Sequence, residues 1–166
     1  MTDSQWSSRR TIKWLLPLTV LIIAAAGVFL IKGGHPFAYY VSIYEGRSEK
    51  VLYQRQVELN DKLTLDYIHS ADKTPISAVF EITEDGLYLI EESYSWYGAG
   101  LEAGSGHSFQ FKNQNVTVSG YERLFEELPI RVARTVPQEI VVYEDVVSLN
   151  ELAPGGTLLI IRIDYK

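Results

Sequence analysis

Hydrophobic and polar residues divide the chain into two parts with different patterns. Near the N-terminus, residues 14–31 read WLLPLTVLIIAAAGVFLI and contain no charged residue. A helix of this length, rising about 1.5 Å per residue, is about 27 Å long, which is close to the hydrocarbon thickness of a bilayer. The pattern therefore predicts a transmembrane helix over residues 14–31.

From residue 39 onward, short apolar or alternating runs are separated by turn residues, which is typical of β-strands. Leu63–Tyr67 and Ile76–Ile82 alternate most clearly, so each predicts a strand with one buried face. Residues 84–86, Glu-Asp-Gly, favour a tight hairpin turn because Asp-Gly adopts positive φ at little cost. Other strands are predicted at residues 39–44, 51–59, 87–94, 109–111, 116–118, 130–136, 140–143 and 158–165.

This series of elements predicts an all-β fold. We expect a mostly antiparallel β-sandwich or barrel of about 8–10 strands, preceded by one N-terminal transmembrane helix. The predicted strands follow one another too closely for helical crossovers. Short helical turns are expected only around Leu124–Leu128 and within Asp145–Leu152, and the glycine-rich residues 98–106 are expected to form a loop.

Basic residues in front of the apolar run orient the predicted helix. Arg9, Arg10 and Lys13 place the N-terminus in the cytoplasm, because positive charge is enriched on the cytoplasmic side of membrane helices. The chain is therefore predicted to be a single-pass membrane protein. Its predicted parts are a cytoplasmic tail at 1–13, an anchor at 14–31, a linker at 32–38 and an extracytoplasmic β domain at 39–166.

A cleaved signal peptide is the competing interpretation of the apolar run. Ala24-Ala25-Ala26-Gly27 offers small residues of the kind found at signal-peptide cleavage sites. Because residues 28–31 continue the apolar run past them, an uncleaved signal-anchor is favoured. Both interpretations predict that the β domain is exported.

The uneven distribution of charge restricts the partners of the exported domain. The chain has 15 basic and 21 acidic residues, a formal net charge of −6. Residues 1–33 hold four basic residues and one acidic residue, so the remainder carries 11 basic and 20 acidic residues, a net charge of −9. An acidic domain repels phosphate backbones, so nucleic acid is not expected as a partner. The absence of cysteine excludes disulfides, a cysteine nucleophile and cysteine-ligated metals.

One polar segment between two predicted strands carries residue types that occur in catalysis. Ser70-Ala71-Asp72-Lys73 has the Ser-x-x-Lys spacing of penicillin-binding enzymes, in which serine and lysine share a helical face. A strand precedes the segment and Thr74-Pro75 follows it, so no helix is predicted and chance is the favoured explanation. His35, His69 and His107 show no paired metal-ligand spacing, so no metal or other cofactor is predicted.

Gly98-Ala99-Gly100-Leu101 is the most distinctive local motif. Its functional interpretation is a loop whose exposed N–H groups face an anion or a partner. Its structural interpretation is a β-bulge or a tight corner, where glycine accepts positive φ or close approach of another backbone. The residues alone favour the structural interpretation.

Two segments together resemble the bacterial family called domain of unknown function 1850. The first is YIHSADKTP at residues 67–75, and the second is YSWYGAGL at residues 94–101. The family pattern places His-Ser-x-x-Lys-x-Pro before a strand, with a Gly-Ala-Gly element about 25–30 residues after the histidine, and this spacing fits. The resemblance covers most of residues 39–166.

The resemblance implies a small exported protein of the bacterial cell membrane, encoded beside TAXI-type tripartite (TRAP) solute transporters. It therefore implies a non-catalytic accessory or binding module whose partners are transporter subunits or a small anionic solute. The binding residues that it implies come from both segments and are His69, Ser70, Lys73, Thr74, Gly98, Ala99, Gly100 and Leu101.

Two alternatives stay open at this point. A Ser-dependent hydrolase would use Ser70 as its nucleophile, with Lys73 or His69 as the base. Since His69 and Ser70 are neighbours, their side chains would point to opposite faces of a strand, which disfavours direct proton transfer. The other alternative is a structural envelope protein without a ligand. The sole argument against it is the polar segment at residues 69–73 between two predicted strands.

Overall fold

The computed structural model describes residues 38–46, 48–69, 73–95, 107–112 and 115–166. The predicted tail, the predicted transmembrane helix and most of the linker, residues 1–37, lie outside the described residues, as do Ser70 and Gly98–Leu101. Within the described ranges, no helix has the length and apolar character needed to cross a bilayer.

Eleven strands and one short helix make up most of the described chain. In chain order they are β1 Tyr39–Glu45, β2 Lys50–Val57, β3 Lys62–Ile68, β4 Pro75–Thr83, β5 Gly86–Tyr94, β6 Ser108–Lys112, β7 Asn115–Phe125, β8 Leu128–Arg131, β9 Gln138–Val142, β10 Asp145–Ser148, α1 Leu149–Leu152 and β11 Leu158–Tyr165.

The strands form two sheets in which every described pairing is antiparallel. The small sheet has four strands in the order β2-β1-β11-β8, and the large sheet has seven in the order β10-β9-β3-β4-β5-β7-β6. This arrangement confirms the prediction of an all-β, mostly antiparallel fold.

One face of each sheet contributes to a shared apolar core. Along the whole of β4, buried residues alternate with less buried ones without a break, so one face of this strand packs into the core. Leu63 and Ile82 of the large sheet and Ile43 and Ile161 of the small sheet are fully buried in this core. Burying each such side chain contributes about 1.5–3 kcal/mol relative to leaving it exposed. The resulting fold is sandwich-like.

Two predictions on the C-terminal half are wrong in detail. The helical turn expected around Leu124–Leu128 is instead the end of β7 and the start of β8, because Leu124 pairs with Tyr88 and extends the β5–β7 ladder. The strand expected at 130–136 ends at Arg131, because its partner Leu158 is the first residue of β11.

The second predicted helical turn is confirmed as α1, although four residues of the same segment form β10. β10 is one strand more than the sequence pattern predicted, which brings the described total to eleven. Strands as short as β10 carry too few residues to display an alternating pattern of their own.

The predicted hairpin turn joins β4 to β5, with Thr83 and Gly86 as the last pair of the ladder. Gly86 has a φ of +134°, and a Cβ built there would lie 2.3 Å from the carbonyl oxygen of Phe125. The glycine therefore permits both the turn conformation and the close approach of β7.

A polar network lies on the outer face of the small sheet. The Tyr44 hydroxyl donates a hydrogen bond to the Asp164 carboxylate, and Arg162 Nε donates to Asp164 Oδ1 at 3.2 Å. The Arg162 guanidinium also lies 4.1 Å from the centroid of the Tyr44 ring. Burial by itself would raise the pKa of Asp164, but hydrogen bonds from Tyr44 and Ser42 and the charge of Arg162 hold it below its usual value.

Gly86→Ala is expected to lower the free energy of unfolding by about 2 kcal/mol or more, because the added Cβ meets the β7 backbone and the φ angle strains any side chain. Urea unfolding of the full-length protein in detergent, followed by circular dichroism, measures the change. Asp85→Ala, at the exposed neighbouring turn position, is the control and should cost less than about 0.5 kcal/mol. Equal unfolding midpoints for Gly86→Ala and the wild type would contradict the close β5–β7 approach.

Asp164→Asn is expected to lower the free energy of unfolding by roughly 1 kcal/mol at pH 7, a figure that allows for solvent screening of this partly exposed group. Folding lowers the pKa of Asp164, so its contribution is complete above the ordinary aspartate pKa of about 3.9. That contribution is lost as the pH falls through the lower pKa of the folded state. Urea unfolding at pH 7 and in the acid range should show the difference between the two proteins shrinking with falling pH; a constant difference would refute the account.

Candidate functional site

The polar segment singled out by the sequence lies between β3 and β4 along the chain, and the structure describes His69, Lys73 and Thr74 of this stretch. The His69 N–H donates to the Thr74 carbonyl at 2.8 Å, and the Lys73 N–H donates to the His69 carbonyl at 3.0 Å. Lys73 has a φ of +61° and is exposed. The backbone of Lys73 is therefore not helical, so Lys73 lacks the helical conformation that the Ser-x-x-Lys arrangement requires. Ser70 lies outside the described residues, and the hydrolase alternative stays a hypothesis.

The second predicted segment starts at the same end of the large sheet. Ile76 of β4 pairs with Tyr94, the last residue of β5, and the Ser95 N–H donates to the Pro75 carbonyl at 3.4 Å. Ile68, the last residue of β3, pairs with Pro75. The chain thus leaves β5 beside the entrance to β4, although Gly98–Leu101 themselves lie outside the described residues.

A pocket of about 340 Å³, here called the sheet-end pocket, opens at this end of the large sheet. Part of its polar lining is a row of successive cross-strand partners on β9, β3, β4 and β5, which are Glu139, Asp66, Ser77 and Ser93. Tyr94, Ser95 and Asn115 add further polar groups. Partners directly opposite each other share a face, and this row lies on the face turned away from the core. Ile68, Pro75 and Pro137 add apolar lining. His69, Lys73 and Thr74 are not among the described lining residues.

The charge of the pocket lining is negative. Asp66 and Glu139 lie directly opposite each other in the ladder, and like charges in this arrangement repel. Among the described residues, no basic side chain forms an ion pair with either carboxylate. The lining therefore suits a hydrogen-bond donor or a cation better than the anionic solute that the resemblance implied.

Two facing bulges interrupt the ladder between β5 and β7. On β5, Leu89 and Glu91 pair with consecutive residues of β4, so the intervening Ile90 has no partner there. On β7, residues 120–122 lie between the partners of Glu91 and Leu89, and Gly120 has a φ of +90°. A bulge shifts the alternation of a strand, which redirects every side chain that follows it.

Because of the β5 bulge, Glu92 and Tyr94 share the core-facing side of the sheet with Leu89. Glu92 pairs with Ala78 and Val118, which are 3% and 1% exposed. An uninterrupted strand would have directed Glu91 inward after Leu89, and Glu92 and Tyr94 outward.

The redirected side chains form a polar aromatic group, here called the Glu92 cluster, that consists of Glu92, Tyr94, His107 and Tyr121. The Tyr94 hydroxyl donates to Glu92 Oε2 at 2.6 Å and is also hydrogen-bonded to Tyr121. The Tyr121 ring lies 4.7 Å from the His107 ring, measured between centroids. All four side chains are half-buried.

Burial is the main cause of the raised pKa values of two tyrosines near Glu92, Tyr94 and Tyr67. It raises the pKa of Tyr94, and the hydrogen bonds with Glu92 and Tyr121 raise it further. Burial and the negative charge of Glu92 raise the pKa of Tyr67 on β3, which is separated from β5 by β4. Both phenols therefore stay protonated at neutral pH, with Tyr94 donating to the carboxylate.

Sequence reasoning missed the Glu92 cluster as a group. The sequence pattern singles out His107 only as a metal-ligand type without a partner, and it does not single out Glu92, Tyr94 or Tyr121. One signal was available, since Gly120 is a lone glycine among strand-like residues and such glycines often mark bulges. The β5 bulge has no comparable signal, because residues 87–94 contain no glycine or proline.

Comparison with known proteins agrees with the family resemblance. The model of the family described as domain of unknown function (DUF1850) matches residues 63–149, just over half of the 166-residue chain. None of the curated proteins and none of the solved structures matched. The matched region contains both the sheet-end pocket and the Glu92 cluster. The chain belongs to the DUF1850 family.

Proposed function

We propose that this protein is a non-catalytic binding module, anchored in the bacterial cell membrane with its β domain outside the cytoplasm, that serves a TAXI-type TRAP solute transporter as an accessory. The observation that carries the proposal is the sheet-end pocket. Its lining lies within the region matched by the family model, and the loops that carry both family-like segments begin beside it.

The chemistry of the pocket supports binding rather than catalysis. Ser77 and Ser93 offer hydroxyls and Asp66 and Glu139 offer acceptors. Other lining residues add polar groups (Ser95, Asn115 and the phenols of Tyr67 and Tyr94) and apolar surface (Ile68, Pro75, Ile76 and Pro137). A pocket of a few hundred Å³ with an apolar wall and a few convergent polar groups is typical of ligand sites. The ligand that fits is one with hydrogen-bond donors or a positive charge, either a solute or a segment of a transporter subunit. His69, Lys73 and Thr74 lie in the loop next to the pocket, where they would meet the same ligand.

The membrane attachment rests on the sequence. Residues 14–31 have the length of a membrane-spanning helix, and the basic residues before them orient the domain toward the outside. Tethering would keep the domain at the membrane surface, where a transporter is reached at high local concentration.

Affinity purification of the full-length protein from its native membrane is expected to recover TRAP transporter subunits, identified by mass spectrometry. Ser77→Phe should abolish this recovery and lower solute uptake, because the new ring would fill the pocket. Ser119→Phe is the matched control, since Ser119 lies on the same sheet but does not line the pocket. Recovery of the protein alone, or equal behaviour of the two variants, would refute the transporter role of this pocket.

A fluorophosphonate probe is expected to leave Ser70 of the full-length protein unmodified, because a binding module needs no activated serine. Peptide mass spectrometry after labelling measures this, with heat-denatured protein as the control for background reaction. Stoichiometric labelling of Ser70 that Lys73→Ala or His69→Ala abolishes would instead establish the hydrolase alternative.

A further inference from the structure

A second cavity, of about 530 Å³ and here called the Glu92 cavity, opens against the Glu92 cluster. Its lining includes Glu92, Tyr94, His107 and Tyr121, together with Leu89 and the exposed Glu122 and Arg123. Three aromatic rings and one half-buried carboxylate therefore meet around one space. The Glu92 cavity lies toward the core-facing side of the large sheet, whereas the polar row of the sheet-end pocket lies on the outer face.

The position of Glu92 has a desolvation cost that lowers the stability of the fold. Its strand partners Ala78 and Val118 are almost fully buried, so the carboxylate gives up part of its hydration in an apolar row. Hydrogen bonding to Tyr94 compensates in part, at 2.6 Å. Bulges that redirect side chains are frequent next to binding and active sites, and here two of them face each other beside this carboxylate.

The residue types around the cavity select the ligand. The faces of aromatic rings carry negative electrostatic potential and attract cations, and a nearby carboxylate adds a full negative charge. Of the other charged residues lining the cavity, Glu122 is acidic, and the guanidinium of Arg123 lies over the Phe125 ring, 4.6 Å from its centroid. The described charges of the lining therefore leave a net negative site.

We infer that the Glu92 cavity binds an organic ammonium cation, held by the carboxylate of Glu92 and the rings of Tyr94, Tyr121 and His107. A methylated ammonium group fits this lining best, because it presents apolar methyl groups to the rings and a diffuse positive charge to the carboxylate. The inference does not depend on the transporter role, and Tyr94 lines both the Glu92 cavity and the sheet-end pocket.

Isothermal titration of the full-length protein in detergent with choline chloride tests the inference. Choline should bind saturably in a buffer whose sodium chloride concentration exceeds that of choline, which removes non-specific attraction to the acidic domain. The matched control ligand is 3,3-dimethyl-1-butanol, which has the shape of choline without its charge and should bind at least about tenfold more weakly. Absence of choline binding, or equal binding of both molecules, overturns the inference.

Variants then locate the site. Glu92→Gln keeps the size of the side chain and should weaken choline binding by about tenfold or more, whereas Glu91→Gln, on the opposite face of the same strand, should leave it unchanged. Tyr121→Leu should weaken binding and Tyr121→Phe, which keeps the ring, should restore it. Circular dichroism confirms that each variant is folded. Choline binding that Glu91→Gln weakens as much as Glu92→Gln would overturn the assignment to this cavity.

Discussion

The alternation of side chains across the large sheet is the constraint on which the rest of the structure depends. Each residue of β4 faces either the core or the outside, and the core takes every second residue from Ile76 to Ile82. The small sheet covers this face with β1 and β11, whose Ile43 and Ile161 are fully buried. Because the register is set by this burial, a shift of one residue would expose the whole apolar set to water.

The paired bulges are the place where the protein departs from that constraint. They let the β5–β7 ladder continue while the alternation of β5 changes, so Leu89 and Glu92 occupy the same face. The consequence is a half-buried carboxylate among phenols, which is an arrangement with a solvation cost and no packing advantage over an aliphatic residue. Features of this kind are more readily explained by binding than by stability.

Both candidate sites are built from the same few strands. β5 supplies Ser93 to the polar row of the sheet-end pocket and Glu92 to the Glu92 cavity, and these neighbours point to opposite faces. The two faces of β5 thus contribute to two sites with different linings, and both sites lie within the region that the family model matches. The acidic and aromatic character of these sites agrees with the net negative charge of residues 34–166 and points to ligands that carry donors or positive charge.

The sequence by itself determined the fold class, most of the strands, the β4–β5 hairpin and the family. These features depend on local information, such as the alternation at Leu63–Tyr67 and Ile76–Ile82, the turn chemistry before Gly86, and short motifs of fixed spacing. The sequence also located the break between two strands correctly, since β3 ends at Ile68 and β4 begins at Pro75.

Only the tertiary structure decided the order of the strands, the row formed by Glu139, Asp66, Ser77 and Ser93, and the inward direction of Glu92. The row joins residues more than sixty positions apart, and no local pattern records which strands become neighbours. The direction of Glu92 depends on a bulge whose one unpaired residue, Ile90, is an aliphatic residue of the kind found throughout ordinary strands. Local periodicity specifies that side chains alternate, but the pairing of β5 with β4 and β7 decides where that alternation is interrupted.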